Sequence, residues 1–109
     1  MTYIEVSDMV RSFDFPYSYF QFPKGSAVPP PFVVFYYPES DDFIADNQNY
    51  SGIRQLTIEL YTDNKDFQAE AKIEETLEAN EIPYRKTEIY IDDEQLFEVA
   101  YEMEVLING

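Results

Sequence analysis

Two segments of the chain alternate apolar and polar residues, which is the pattern of a strand with one buried face. In Ile53 to Thr62, the apolar residues Leu56, Ile58 and Leu60 alternate with polar ones. The second segment, Leu96 to Ile107, is apolar on one face and acidic on the other. The acidic residues of that face are Glu98, Glu102 and Glu104. Both segments therefore predict half-buried strands, and the second places like charges in a row.

Two other segments have the spacing of an amphipathic helix. Thr2 to Phe13 begins with Thr2 and Glu5, which fit a capping box. Asp66 to Ala79 predicts the main helix, with Asp63, Asn64 or Asp66 as its N-cap. Asn80 can take the left-handed conformation that ends a helix. The apolar face of this helix carries Ala69, Ile73 and Leu77, and the carboxylates expected to face water are Glu70, Glu74, Glu75 and Glu78.

Three further segments are predicted strands: Tyr17 to Phe22, Phe32 to Tyr37, and Tyr84 to Ile91. The second is a near-continuous apolar run, which indicates a strand covered by a helix on one face and by a partner on the other. Phe35 and Tyr37 are its candidate partner contacts. The predicted order is α-β-β-β-α-β-β in a single domain spanning residues 1–109. This order indicates an α+β fold, a mostly antiparallel sheet on which the two helices pack.

The charge and the missing residue types narrow the function. Asp and Glu outnumber Lys and Arg by 22 to 7, a formal charge of −15, so binding to nucleic acid phosphates is not expected. The chain has no Cys, which excludes a Cys nucleophile and thiolate metal sites, and no His, which removes the commonest general base and metal ligand. No phosphate loop, nucleophile elbow or signal peptide is visible, and no apolar run could span a membrane. We expect a non-enzymatic protein without cofactor, made inside the cell.

The segment "DDFIADNQNY", residues 41–50, is rich in oxygen ligands and raises the question of a cation site. An EF-hand loop needs Gly at its sixth and Glu at its twelfth position, and counting from Asp41 or Asp42 satisfies neither requirement. A turn is the ordinary alternative. The segment also holds Phe43, Ile44 and Tyr50, which are candidate contacts with a neighbouring subunit. In the alternative, Phe43 and Ile44 extend the preceding strand and pack under the core.

The sequence "PPPFVVFYYPESDDFIADNQNY", followed by "IRQLTIELYTDNKDFQAEAKIEETLEANEIPYRKTEIYIDDEQLFEVAYEMEV", resembles small tail components of long-tailed phages and prophages of Gram-positive bacteria. Within that group it is similar to tail terminator proteins. The shared features are the P-F-x-V-x-Y-Y strand, the F-x-A-D-N-x-x-Y loop, the I-E-L-Y-T strand leading to K-D, the acidic helix before I-P-Y and the closing E-V-x-Y-E strand. They cover nearly the whole chain and include no catalytic signature.

The resemblance implies a virion protein, made in the host cytoplasm, that forms a ring on the finished tail tube. The ring, expected to be hexameric, would stop polymerisation of the tube protein and join the tail to a head-completion protein. DNA would pass through it without sequence-specific contact. Glu98, Glu102 and Glu104, or Asp41 and Asp42, would then line the lumen or an axial surface. Two alternatives stay open: another neck component, and an acidic DNA mimic that inhibits a host DNA-binding protein.

Overall fold

The computed structural model describes residues 1–25, 28–38 and 52–108. The residues in these ranges form two helices and five strands. Their bounds are α1 Tyr3–Arg11, β1 Tyr17–Tyr19, β2 Phe32–Tyr36, β3 Ile53–Thr62, α2 Phe67–Ala79, β4 Arg85–Ile91 and β5 Leu96–Leu106. The predicted order of elements and the predicted α+β class are confirmed.

The five strands form one sheet in the order β1-β2-β3-β5-β4. β2, β3, β5 and β4 pair antiparallel, and only β1 runs parallel to its neighbour β2. The two long strands β3 and β5 form the centre, where Ile58 lies opposite Tyr101 and Glu59 opposite Ala100. Alternate residues of a strand point to opposite faces, so this register assigns each side chain to one face of the sheet.

Both helices cover one face of the sheet, and the hydrophobic core lies between the helices and that face. α1 contributes Val6, Met9 and Val10, and α2 contributes the predicted Ala69, Ile73 and Leu77. The sheet contributes alternate residues of its three inner strands, as the sequence predicted for β3 and β5. These sheet residues are Val33, Phe35, Leu56, Ile58, Leu60, Val99, Tyr101, Met103 and Val105.

The helix starts follow the sequence prediction. Thr2 and Glu5 form the capping box of α1, in which Thr2 accepts from the Glu5 amide and Glu5 accepts from the Thr2 amide. Asp66 caps α2 by accepting from the Ala69 amide at 3.0 Å. β1 ends at Tyr19, short of the predicted Phe22, because Phe20 adopts a positive φ of 69° that leaves the extended conformation.

The end of α2 differs from the prediction by one residue. Asn80 stays at φ −93°, and the left-handed residue is Glu81, with φ 59°. The amide of Ile82 then donates to the Leu77 carbonyl and that of Glu81 to the Glu78 carbonyl, both at 3.0 Å, which is a Schellman motif. Ile82 packs against the core, and this apolar contact fixes which residue reverses the chain.

Replacing Glu81 with Gly is expected to raise the free energy of unfolding by about 0.5 to 1 kcal/mol, because Gly adopts the left-handed conformation without the cost imposed by a Cβ. Chemical denaturation measures the change. Asn80→Gly is the matched control and should lower stability, since Asn80 has a negative φ and its side-chain amide donates to the Thr76 carbonyl at 2.8 Å. Equal effects of the two substitutions would contradict the assignment of the cap.

Candidate interaction surface

The sheet face opposite the helices is called the open face here, because both helices pack on the other side. Its centre carries the polar half of the alternating pattern in β3 and β5. The edge strands β1 and β4 flank it, and Ile89 of β4 is 56% exposed. The side chains that the strand register places on the open face are Ser18, Phe32, Val34, Tyr36, Ile53, Gln55, Thr57, Glu59, Tyr61, Arg85, Thr87, Ile89, Ile91, Leu96, Glu98, Ala100, Glu102, Glu104 and Leu106.

One side of the open face is a group of five rings, which we call the aromatic patch: Phe20, Phe22, Phe32, Tyr36 and Tyr61. Phe32 stacks on Tyr61 with ring centroids 5.0 Å apart. Phe22 meets Phe32 edge to face at 5.4 Å, and Phe20 meets Tyr36 in the same way at 5.8 Å. Phe20 is 60% exposed, so the patch presents apolar surface to solvent.

The two tyrosines of the patch hold one carboxylate. The Tyr36 hydroxyl donates to Glu59 Oε2 at 2.7 Å, and the Tyr61 hydroxyl donates to Glu59 Oε1 at 2.8 Å. Burial, together with the hydrogen bond to Glu59, raises the pKa of both phenols, so both remain protonated donors near neutral pH. Glu59 is therefore fixed in position with one donor on each oxygen.

Glu98 completes a carboxyl pair with Glu59. Glu98 lies opposite Tyr61 and Glu59 lies opposite Ala100, so the two glutamates are diagonal neighbours on the open face. Burial, followed by a hydrogen bond with Glu59 and the negative charges of Glu59 and Glu94, raises the pKa of Glu98 to about 7. The Tyr61 hydroxyl opposes this effect. Glu98 therefore keeps its proton at pH values between 4.5 and about 7, where ordinary carboxyl groups are ionised.

The three glutamates predicted to form an acidic row, Glu98, Glu102 and Glu104, do lie together on the open face. Their surroundings differ, however. Glu102 pairs with Arg85 of β4 at 3.3 Å, and Glu104 accepts from the Gln55 amide at 2.9 Å. Glu98 is only partly exposed and forms the pair with Glu59. The row is thus not a uniformly solvated face. Asp41 and Asp42 lie outside the described residues.

The predicted partner contacts are divided between the core and the part of the chain that is not described. Phe35 is 7% exposed, because its position in β2 points it towards the helices, where it meets Tyr19 edge to face at 5.4 Å. It is therefore a core residue and presents little surface to a partner. Tyr37 is half-buried on the same side and contacts Tyr3 and Tyr19. The remaining candidates, Phe43, Ile44 and Tyr50, lie outside the described residues.

On the helix side, an ionic cluster joins α2 to the sheet: Lys65, Glu70, Glu74, Lys86, Glu88 and Tyr101. Glu70 is 3% exposed and accepts from Lys65 at 2.5 Å and from Lys86 at 2.9 Å. The expectation that Glu70 and Glu74 face water is therefore wrong. The cause is the reach of two lysines, one preceding α2 and one on β4, to the inner edge of the helix.

The other members of the ionic cluster bind around this centre. Lys86 also pairs with Glu74 at 2.7 Å, and Lys65 pairs with Glu88 at 2.6 Å. The Tyr101 hydroxyl donates to Glu74 at 2.8 Å. Burial alone would raise the pKa of Glu74, but the bonds from Lys86 and Tyr101 outweigh it and lower that pKa. The cluster therefore binds α2 to the sheet through charged groups and offers none of them as a free acid or base.

A groove of about 720 Å³ lies where α1, the end of α2 and the end of β5 meet. Its lining combines apolar side chains such as Met9 and Val105 with carboxylates such as Glu5 and Glu81. Within residues 1–25, 28–38 and 52–108, no group of three or more acidic side chains is placed to hold a metal ion. Of the helices in those ranges, none has the length and apolar character needed to cross a membrane.

Comparisons with protein-family models, with curated proteins and with solved structures found no match to this chain. The sequence resemblance and the described surfaces are therefore the grounds on which a function can be proposed. Of these surfaces, the open face combines exposed rings with the carboxyl pair. Sequence reasoning missed Glu59, although the alternation in β3 already placed Glu59 and Tyr61 on one face.

Proposed function

We propose that this protein is a non-enzymatic assembly component of a phage tail, and specifically a tail terminator. It caps the finished tail tube as a ring, stops addition of tube protein and provides a surface for the head-completion protein. The observation that carries the proposal is the open face, where the exposed Phe20 and four half-buried rings adjoin acidic side chains, and where the described helices pack on the opposite side of the sheet. The sequence resemblance to tail terminator proteins supports the same proposal.

The electrostatics suit a ring through which DNA passes. A formal charge of −15 on a chain of 109 residues repels a duplex, so the DNA slides without binding. The same charge opposes contact between free copies and favours a monomer until a tube end supplies the contacts. In this proposal Glu98, Glu102 and Glu104 face the lumen or an axial surface of the ring.

Assembly on the tube distinguishes the terminator from an acidic DNA mimic. The purified protein should run as a small species in size-exclusion chromatography and should form rings when assembled tail tubes are added, visible at the tube ends by negative-stain microscopy. A DNA mimic should not bind the tubes and should instead bind a basic host DNA-binding protein. A different neck component should bind the head-completion protein and leave the tube ends bare.

Changing Glu98, Glu102 and Glu104 together to Lys should impair DNA passage and infectivity while leaving tails of normal length, because the substitution turns a repelling surface into one that binds phosphates. Plaque counts and tail-length measurements on the same preparation test this. The matched control changes Glu75 and Glu78, both exposed on α2, to Lys. Unaltered infectivity of the β5 variant would exclude a lumen position for this strand.

A further inference from the structure

Among the residues that the structure describes, no lysine or arginine forms an ion pair with the carboxyl pair on the open face. Ion pairs within residues 1–25, 28–38 and 52–108 involve other carboxylates: Asp8, Glu70, Glu74, Glu88 and Glu102. Like charges held near one another across neighbouring strands destabilise a sheet. In the free protein, the proton on Glu98 and the two tyrosine hydroxyls on Glu59 relieve this repulsion.

We propose that the open face around the carboxyl pair docks a basic protein surface, which places a lysine or arginine between Glu59 and Glu98 while its apolar side chains contact the aromatic patch. The identity of the partner rests on the proposed function, in which the ring provides a surface for the head-completion protein. The docking itself rests on the chemistry of the surface.

The charge balance favours a basic partner over a second copy of this chain. A second copy carries 22 acidic and 7 basic residues in its whole chain, so its net negative charge adds repulsion to a face that is already acidic. The carboxyl pair lies directly beside the aromatic patch, because Tyr36 and Tyr61 belong to that patch and donate to Glu59. A segment that alternates basic and apolar side chains matches this juxtaposition.

The groups facing Glu98 determine how docking depends on pH. β3 contributes Glu59 and Tyr61, and the turn before β5 contributes Glu94. On β4, the residue opposite Glu98 is the uncharged Ile89, and the Arg85 side chain of that strand is bound to Glu102. Of the described titratable groups, those that face a cation docked at Glu98 are acidic or phenolic. Docking replaces the proton on Glu98, so binding strengthens as pH rises through about 7.

The test uses the intact protein and a short synthetic peptide that alternates lysine with leucine. Amide shifts in nuclear magnetic resonance spectra at about pH 8 should change on the open-face strands β2, β3 and β5. Glu98→Gln and Glu59→Gln should each weaken binding by about tenfold, whereas Glu75→Gln on α2 should not. A peptide that alternates glutamate with leucine should not bind.

The pH dependence supplies the second readout. Wild-type affinity should fall by about tenfold between about pH 8 and about pH 5.5, and the Glu98→Gln variant should lose this dependence. Shifts confined to the helix side, absence of binding, or unchanged affinity of both variants would overturn the docking proposal. The proposed tail function is tested separately by tail length, so the docking proposal and the tail proposal can fail independently.

Discussion

Replacing Glu70 with Gln is expected to lower the free energy of unfolding by about 3 kcal/mol. Glu70 accepts from Lys65 and from Lys86, one on each carboxylate oxygen, and is 3% exposed. The amide of Gln would point two donor hydrogens at one of these lysines, and each partly buried lysine would keep a single carboxylate, Glu88 for Lys65 and Glu74 for Lys86. Urea or guanidinium denaturation at neutral pH measures the change, and the slope of the transition shows whether the fold is kept.

Glu75 of the same helix provides the matched control. It is exposed, so Glu75→Gln should change stability by less than about 0.5 kcal/mol. Equal effects of the two substitutions would mean that the ionic cluster does not hold α2 on the sheet. The lysines of the cluster keep some solvent contact, with side-chain exposures of 25% and 36%, so a loss at the lower end of the range for broken buried pairs is expected.

Replacing Glu98 with Gln should instead stabilise the protein, and only above neutral pH. The pKa of Glu98 is raised from 4.5 to about 7, so the folded state binds this proton more tightly than the unfolded state. The stability that Glu98 contributes is present below about pH 4.5 and is lost as pH rises through about 7. A neutral Gln removes this loss of stability at high pH, because its side chain carries no charge at any pH.

The difference between 4.5 and about 7 corresponds to at most about 3 kcal/mol. Glu98 keeps partial contact with solvent, which reduces this figure, and we expect a gain of about 1 to 2 kcal/mol at about pH 8. Near pH 5 the gain should be much smaller. Glu102→Gln is the matched control on the same strand and should show no such pH dependence, since Glu102 is exposed and paired with Arg85. A stability gain of Glu98→Gln that does not change with pH would contradict the raised pKa of Glu98.

The two glutamate predictions differ in sign because the surroundings differ. Glu70 has two cations and stabilises the fold, whereas Glu98 has a carboxylate neighbour and destabilises it once ionised. A charge that costs stability is typical of a residue kept for function. The cost of ionising Glu98 therefore supports the proposal that the open face meets a partner.

The order of helices and strands could be predicted from the sequence because it rests on local patterns. Alternation in β3 and β5, and the capping residues Thr2 and Asp66, each carry a signal within a few positions. The end of α2 was missed by one residue, since Asn80 and Glu81 compete for the left-handed position and the packing of Ile82 decides between them. Local preference alone does not contain that contact.

The ionic cluster and the carboxyl pair could not be predicted in the same way. Both depend on which strands are neighbours, and sequence order does not show that β5 lies between β3 and β4. Glu59 and Glu98 are far apart in the chain and become neighbours only through that arrangement. Lys86 reaches Glu70 and Glu74 for the same reason. Periodicity predicted that Glu98 lies on a polar face, but not which residues surround it.

The central proposal, that this protein ends the growth of a phage tail, is tested most directly by measuring tail lengths. Tails assembled with and without the protein should be compared by negative-stain microscopy, with the purified protein added back as the control. The proposal predicts overlong tubes of variable length in its absence and tails of uniform length when it is restored. Tails of normal, uniform length without the protein would contradict it.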